Sequence, residues 1–173
     1  MTDYINEGMF IGKRVPGDLL ASTMDEKINL SSLRGITIVY AYPRTSPPTS
    51  PPIPGWDLIP GARGCTLQSR GFASHYTSII AAGASEVYGL STQVSAYQKE
   101  AQIRLRLPFD LLSDHDAKFS HNLGLPTFEV EGMTLLHRVT LVLKDGIVRK
   151  IFYPVKNPAD NAGLVAQYLM SDI

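Results

Sequence analysis

The run Ile36-Thr-Ile-Val-Tyr-Ala-Tyr42 leaves this chain few choices of fold. It is β-branched, aromatic or small throughout and carries no charge. A strand with one wet face alternates apolar and polar residues; one that is apolar along its length is buried on both faces, in the middle of a sheet that helices cover from each side. The strand ends at Pro43, and the composition changes at once. Residues 43–54 hold six of the 12 prolines. Proline lacks an N–H and fixes φ, so this segment can be neither helix nor interior strand; an extended polyproline conformation is its natural state. Residues 44–60 therefore read as a Pro-rich insertion. A solvated surface loop and a stiff flap beside a site are equally compatible with it, although Trp56 and Ile59 are unusual in a solvated linker. A peptide ligand for a proline-binding domain is a remoter reading.

Helical periodicity follows over 66–82, with Phe72, Tyr76, Ile79 and Ile80 on one face, and residues 85–91 read as the next strand. Strand, helix and strand make a βαβ unit with a right-handed crossover. Upstream, residues 1–16 read as an irregular arm ending at Pro16-Gly17, and residues 18–22 and 27–30 as a hairpin. Downstream, a helix carries Val94, Tyr97, Ala101 and Leu105 on its apolar face and stops at Pro108. A strand over 109–112, a short helix over 117–123 closed by Gly124 and an extended piece at 128–130 come next. Residues 134–143 and 147–154 flank Lys144-Asp-Gly146, whose Asp-Gly pair marks a hairpin. The last helix starts with Asn157 as N-cap and Pro158 at its first position, and buries Leu164, Val165, Tyr168 and Leu169. The sum is a single α/β domain over 1–173, a central mixed β-sheet flanked by helices with an N-terminal β-hairpin.

Composition removes whole classes of function. Sixteen basic and sixteen acidic side chains cancel, so there is no electrostatic footprint for nucleic acid, and no Lys/Arg run suits a membrane surface. No apolar run approaches the roughly 18 residues of a membrane span. The N-terminal residues lack a basic segment followed by an apolar one, so no secretory signal is expected and a cytoplasmic location is. One cysteine cannot form an internal disulfide or a cysteine-cluster metal site.

That cysteine, Cys65, sits where the loop Ile59-Pro-Gly-Ala-Arg-Gly64 meets the helix. A helix start presents unpaired N–H groups and the positive end of the dipole, which stabilise an anion, and the anionic form of cysteine is the nucleophile. Arg63 and Arg70 are nearby charges in sequence. Arg138 lies within an otherwise apolar strand, where a cation needs an anionic partner unless the position is an edge or a structural ion pair. The histidines are weaker candidates. His75 reads as helical, His115 as part of a capping turn, His121 as part of a short helix, and His137 as facing away from Arg138 by strand alternation. No pair of histidines has metal-ligand spacing on one helix, and no Gly-rich phosphate loop follows a strand.

Val39-Tyr-Ala-Tyr-Pro43, Gly64-Cys65-Thr66 with Gln68, Leu112-Ser-Asp114, and Arg138 before Lys144-Asp-Gly146 together resemble a peroxiredoxin, of the bacterioferritin-comigratory-protein or Q-type branch, over roughly residues 17–170. The resemblance implies a thioredoxin-like fold. It makes Cys65 the peroxidatic cysteine, Arg138 the arginine that holds the thiolate and the peroxide oxygens, and Pro43 a shield over the sulfur. Gly64, Thr66 and Gln68 support the site. Three positions depart from the family pattern. Ala62 stands where a Thr or Ser usually does, twenty-one residues rather than a few separate Pro43 from Cys65, and Arg70 occupies the place of a frequent resolving cysteine.

The activity so implied is thiol-dependent reduction of hydrogen peroxide or organic hydroperoxides through a Cys65 sulfenic acid. Without a second cysteine, an external thiol (thioredoxin, glutaredoxin or a low-molecular-weight thiol) resolves it. No metal, haem, flavin or other cofactor is implied, nor any nucleic-acid or membrane partner, and the state is monomer or homodimer. The rival readings are a non-catalytic thioredoxin-like binding domain with a structural cysteine and, further behind because position 68 is Gln rather than Cys, a thiol–disulfide oxidoreductase.

Overall fold

The computed structural model describes residues 5–172. Its strands are β1 (Leu20–Ser22), β2 (Lys27–Ile28), β3 (Ile36–Ala41), β4 (Ala84–Ser91), β5 (Asp110–Ser113), β6 (Thr127–Val130), β7 (Met133–Leu136), β8 (Val139–Lys144) and β9 (Ile147–Phe152); its helices are α1 (Cys65–Ala81), α2 (Ser95–Arg104), α3 (Lys118–Leu123) and α4 (Asn161–Asp172). Seven strands form one mixed sheet in the order β2-β1-β5-β4-β3-β8-β9, and β6 and β7 form a separate hairpin. β3, β4 and β5 run parallel, while β8 pairs antiparallel with β3 and β1 antiparallel with β5.

β3 is apolar because it has a core on each side. Ile36, Ile38 and Tyr40 pack with Phe72 and Ile79 of α1 and with Val165 and Leu169 of α4. Val39 and Ala41, on the opposite face, pack with Phe10, Phe119 of α3 and Leu141 of β8. Each large apolar side chain removed from water in this way stabilises the fold by roughly 1.5–3 kcal/mol. The sheet therefore holds the C-terminal end of β3 rigidly, and there the chain leaves for the Pro-rich segment before returning at α1.

Four elements differ from the sequence reading. Of the expected N-terminal arm, residues 1–4 lie outside the described residues, and the rest is held: Phe10 and Val15 are buried, and Gly12, Lys13 and Val15 bond to Gly146 and Val148 beside β9. In α2 the inward residues are Gln98 and Ala101, while Val94 and Tyr97 are about half exposed. Burial of the Gln98 amide nitrogen is offset because Nε2 donates to Ser91 Oγ (3.0 Å) and Leu112 O (2.7 Å), while Oε1 has no hydrogen-bond partner among the described residues. α4 begins one short turn later than expected, after a 3-10 segment Pro158–Asp160. Asn157 donates to Asp160 Oδ2 (2.6 Å) instead of accepting a helix N–H, and Leu164 is exposed.

The fourth difference matters most. Residues 134–143 do not make one strand. Leu136 pairs with Thr127 in the small hairpin, whereas Val139 pairs with Ala41 in the main sheet. The chain changes sheets across His137 and Arg138, so the alternation rule that set these two side chains on opposite faces does not apply to them.

Candidate active site

Cys65 is the first residue of α1. Gly64 before it has φ +110°, a left-handed conformation that L side chains rarely adopt, and a Cβ there would meet Pro158 Cγ at 2.8 Å. Glycine thus allows the loop to turn into the helix while packed against the approach to α4. As the first helical residue, Cys65 has backbone N–H groups around it with no partner inside the helix.

The Pro-rich segment is a wall of the site. Its beginning is tied to the end of β4, since Thr45 N–H donates to Gln93 Oε1 (2.9 Å) and Gln93 Nε2 donates back to Thr45 O (2.7 Å). Farther along, Pro51, Pro52, Ile53 and Trp56 face Ala62, Gly64, Cys65, Thr66 and Leu67 across a cavity of about 360 Å³. Arg44 and Arg63 line it too, and among the described residues no carboxylate does. Cys65 is only 6% exposed, and the cavity is its route to solvent.

Beneath the sulfur lies Arg138, 3% exposed. Its Nη2 shares its protons among Cys65 Sγ (3.3 Å) and the carbonyls of Gly61 (3.1 Å), Ala62 (3.3 Å) and Arg63 (3.3 Å). Its Nη1 donates to Gln68 Oε1 at 2.6 Å. The sequence reading of an edge arginine reaching solvent does not hold. Nor is this a structural ion pair, because all the other acceptors are neutral and the sulfur is the one that can carry a full negative charge. In the thiol form, Cys65 donates weakly to Ala62 O at 3.7 Å.

Gln68 is buried one helical turn beyond Cys65. Its Nε2 donates to Asn161 Oδ1 (3.0 Å), which also accepts from Thr140 Oγ1 (2.6 Å). The chain Arg138–Gln68–Asn161–Thr140 joins α1, α4 and β8 and sets the orientation of the Gln68 amide, which in turn holds the guanidinium. Asn161 and Thr140 were not found from sequence. An asparagine inside an apolar helix was the available signal, but its partners come from elements far away in the chain.

Two tyrosines back the site. Tyr40 stacks on Phe72 at 4.4 Å and its hydroxyl meets Ser69 Oγ at 3.0 Å. Burial pushes the pKa of both Tyr40 and Tyr42 well up; the nearby Cys65 adds to the rise, and hydroxyls of Ser69 and Ser91 oppose it. Both phenols are therefore neutral and place no negative charge beside the sulfur.

Pro43 is buried just past the end of β3, and Thr66 is half-buried on the cavity wall. Arg70 is exposed, and Arg63 offers Arg138 its carbonyl while its side chain lines the cavity. His75 bonds Gly71 O one turn back in α1, and His137 packs its ring on Phe128 at 4.9 Å.

Comparison with known proteins gives the family and the fold. The model of the Redoxin family matches residues 11–168. The chain belongs to the redoxins, in the peroxiredoxin Q branch. It is 32% identical over 162 residues to a putative chloroplastic peroxiredoxin Q from Oryza sativa subsp. indica, covering 92% of this chain and 66% of the rice protein. It is 34% identical over 152 residues to a chloroplastic peroxiredoxin Q from Triticum aestivum, covering 86% and 62%. The chain thus spans a little under two thirds of these relatives' length. Among solved structures, it superposes on peroxidoxin BcpB from Mycobacterium tuberculosis with a TM-score of 0.76 at 20% identity, covering 95% and 99% of the two chains. On Xanthomonas campestris peroxiredoxin Q the TM-score is 0.73 at 19% identity, covering 95% and 98%. The fold is accordingly thioredoxin-like.

Proposed function

We propose that this peroxiredoxin is a thiol-dependent peroxidase whose nucleophile is Cys65. The observation that carries the reading is the 3.3 Å approach of a buried guanidinium, lacking any carboxylate contact, to the sulfur at a helix start. A structure of a Xanthomonas campestris relative is described in terms of alkyl peroxide reduction, which supports the same chemistry.

The thiolate attacks one peroxide oxygen in line. An S–O bond forms and the O–O bond breaks, the sulfur giving up two electrons and the leaving oxygen taking a proton to become water or an alcohol. Arg138, itself buried, stabilises the charge that builds on the oxygens. An external thiol then condenses with the sulfenic acid, releasing water and forming a mixed disulfide; a second thiol displaces it, returning Cys65 as a thiol and leaving the reductant as its disulfide. A reducing compartment such as the cytoplasm suits such a cycle.

Peroxide consumption with dithiothreitol as reductant tests this directly. Cys65→Ser should abolish it, and peroxide alone should add one or two oxygens to the intact mass of the parent protein. Equal rates for parent and variant would sink the proposal.

A further inference from the structure

The guanidinium of Arg138 is a rigid planar fork, and it is anchored unevenly. Arg138 lies between β7 and β8, outside both ladders, so no strand pleat aligns its side chain. Its Nε is buried with no hydrogen-bond partner among the described residues. Its Nη2 is spread over four acceptors at 3.1 to 3.3 Å, Cys65 Sγ among them. The shortest bond the fork makes is from Nη1 to Gln68 Oε1, at 2.6 Å. The tilt of the fork, and with it the distance from Nη2 to the sulfur, is therefore fixed at Gln68.

That bond has a direction, and Gln68 cannot set it alone. A guanidinium has donors only, so the amide must turn its oxygen to Arg138 and its nitrogen away. The nitrogen then needs an acceptor, and Asn161 Oδ1 supplies it at 3.0 Å. The same oxygen accepts from Thr140 Oγ1 at 2.6 Å, which holds the Asn161 amide the right way round in its turn. Gln68 and Thr140 are fully buried and Asn161 nearly so, so bulk water does not stand in for any of these partners. With an apolar side chain at 161, Gln68 Nε2 would be a buried donor without an acceptor, which is costly. The amide would be free to turn over, setting donor against donor at Arg138.

We infer that Asn161 is a positioning residue for the reaction at Cys65: through Gln68 it fixes the tilt of the Arg138 fork and so keeps Nη2 on the sulfur. The inference rests on the peroxidase reading above and adds to it a residue of the last helix, acting at two removes from the sulfur. Asn161 is the first residue of α4, and Pro158 just before it packs against Gly64. The start of α4 thus supports the site twice, once at the loop and once at the cation.

The test is a double-mutant cycle read as kcat/KM for hydrogen peroxide with dithiothreitol as reductant, with the urea midpoint taken on the same preparations. Asn161→Leu keeps the size of the side chain and removes the acceptor; Asn161→Ala serves the same comparison where the leucine variant does not fold. In the parent background kcat/KM should fall by roughly 10- to 10²-fold, the scale of a displaced catalytic group. In the Gln68→Glu background the same substitution should cost far less, because a carboxylate offers Arg138 an oxygen whichever way it turns. Thr140→Val removes the second donor to Asn161 Oδ1 but leaves Gln68 paired, so it should lower the urea midpoint with little loss of rate. A role confined to packing would lower rate and midpoint together, and equally in both backgrounds. Equal falls in the two backgrounds, a fall in Thr140→Val as large as in Asn161→Leu, or an undiminished rate in Asn161→Leu would overturn the inference. Failure of the parent protein to consume peroxide would instead overturn the peroxidase reading, and this one with it.

Discussion

Arg138 donates to Gln68, to Cys65 and to three successive carbonyls, and none of these partners is a carboxylate. A cation so placed organises the loop that precedes Cys65 and, on the proposed reading, also meets negative charge on the sulfur or the peroxide. Arg138→Met keeps the length and loses both. Peroxide consumption should fall by about 10²–10³-fold, the usual cost of losing one donor to a developing oxyanion, and steady-state kinetics with dithiothreitol would show it. A drop of less than tenfold would place the arginine outside the reacting shell. The residue types, Cys65 and Arg138, were readable in the chain because a lone thiol at a helix start and a cation in an apolar run are both anomalies. Asn161 and Thr140 were not readable, since a buried amide and hydroxyl are ordinary until their partners are known.

At the scale of elements, the entry into α1 is the most demanding joint. Gly64 combines a positive φ with a neighbour, Pro158, that leaves no room for a Cβ. Gly124, which ends α3, is also left-handed at φ +87° but would meet nothing within 4 Å. Gly64→Ala and Gly124→Ala therefore separate two costs. Both should lose stability to backbone strain, of order 1–3 kcal/mol, and Gly64→Ala should lose more, because Pro158 must move as well. Urea denaturation of the two variants measures the difference; equal losses would mean that Pro158 yields freely. Periodicity located α1, β3 and β4 well because their burial follows their own side chains. It failed where burial depends on distant partners: Gln98 turns inward in α2 on the strength of bonds to Ser91 and Leu112. The apolar stretch around His137 looked continuous because both halves are buried, although in different sheets.

Over the whole molecule, the buried phenols set a limit at high pH. Burial holds Tyr40 and Tyr42 far above the ordinary value, and burial together with Glu86 and Asp110 pushes Tyr88 up to about 12. An unfolded tyrosine ionises near 10. The folded chain keeps these protons while the unfolded chain releases them, so stability is fully present below pH 10 and declines as pH rises from there through the folded pKa values. The urea midpoint should be flat from neutral pH to about 9.5 and fall steadily above 10. Tyr88→Phe should flatten part of that fall, and a midpoint unchanged up to pH 11.5 would contradict the burial of all three hydroxyls. The α/β plan itself was legible from β3 and the Asp-Gly turn. The Pro-rich segment was legible only as a choice between loop and flap, because its conformation is set by its own prolines whereas its place over Cys65 depends on the Gln93 clamp.

The crossing between sheets at His137 and Arg138 also governs when the site can exist. Cys65 and Arg138 are 73 residues apart, and neither the βαβ half nor the C-terminal hairpin alone brings them together. β8 must dock on β3 and the β6–β7 hairpin must close before the guanidinium meets the sulfur. A nascent or partly unfolded chain therefore carries its cysteine without its cation, and the pairing of the two comes into being only with the finished fold. The site is in this sense self-licensing: the same long-range closure that completes the molecule also assembles the pair.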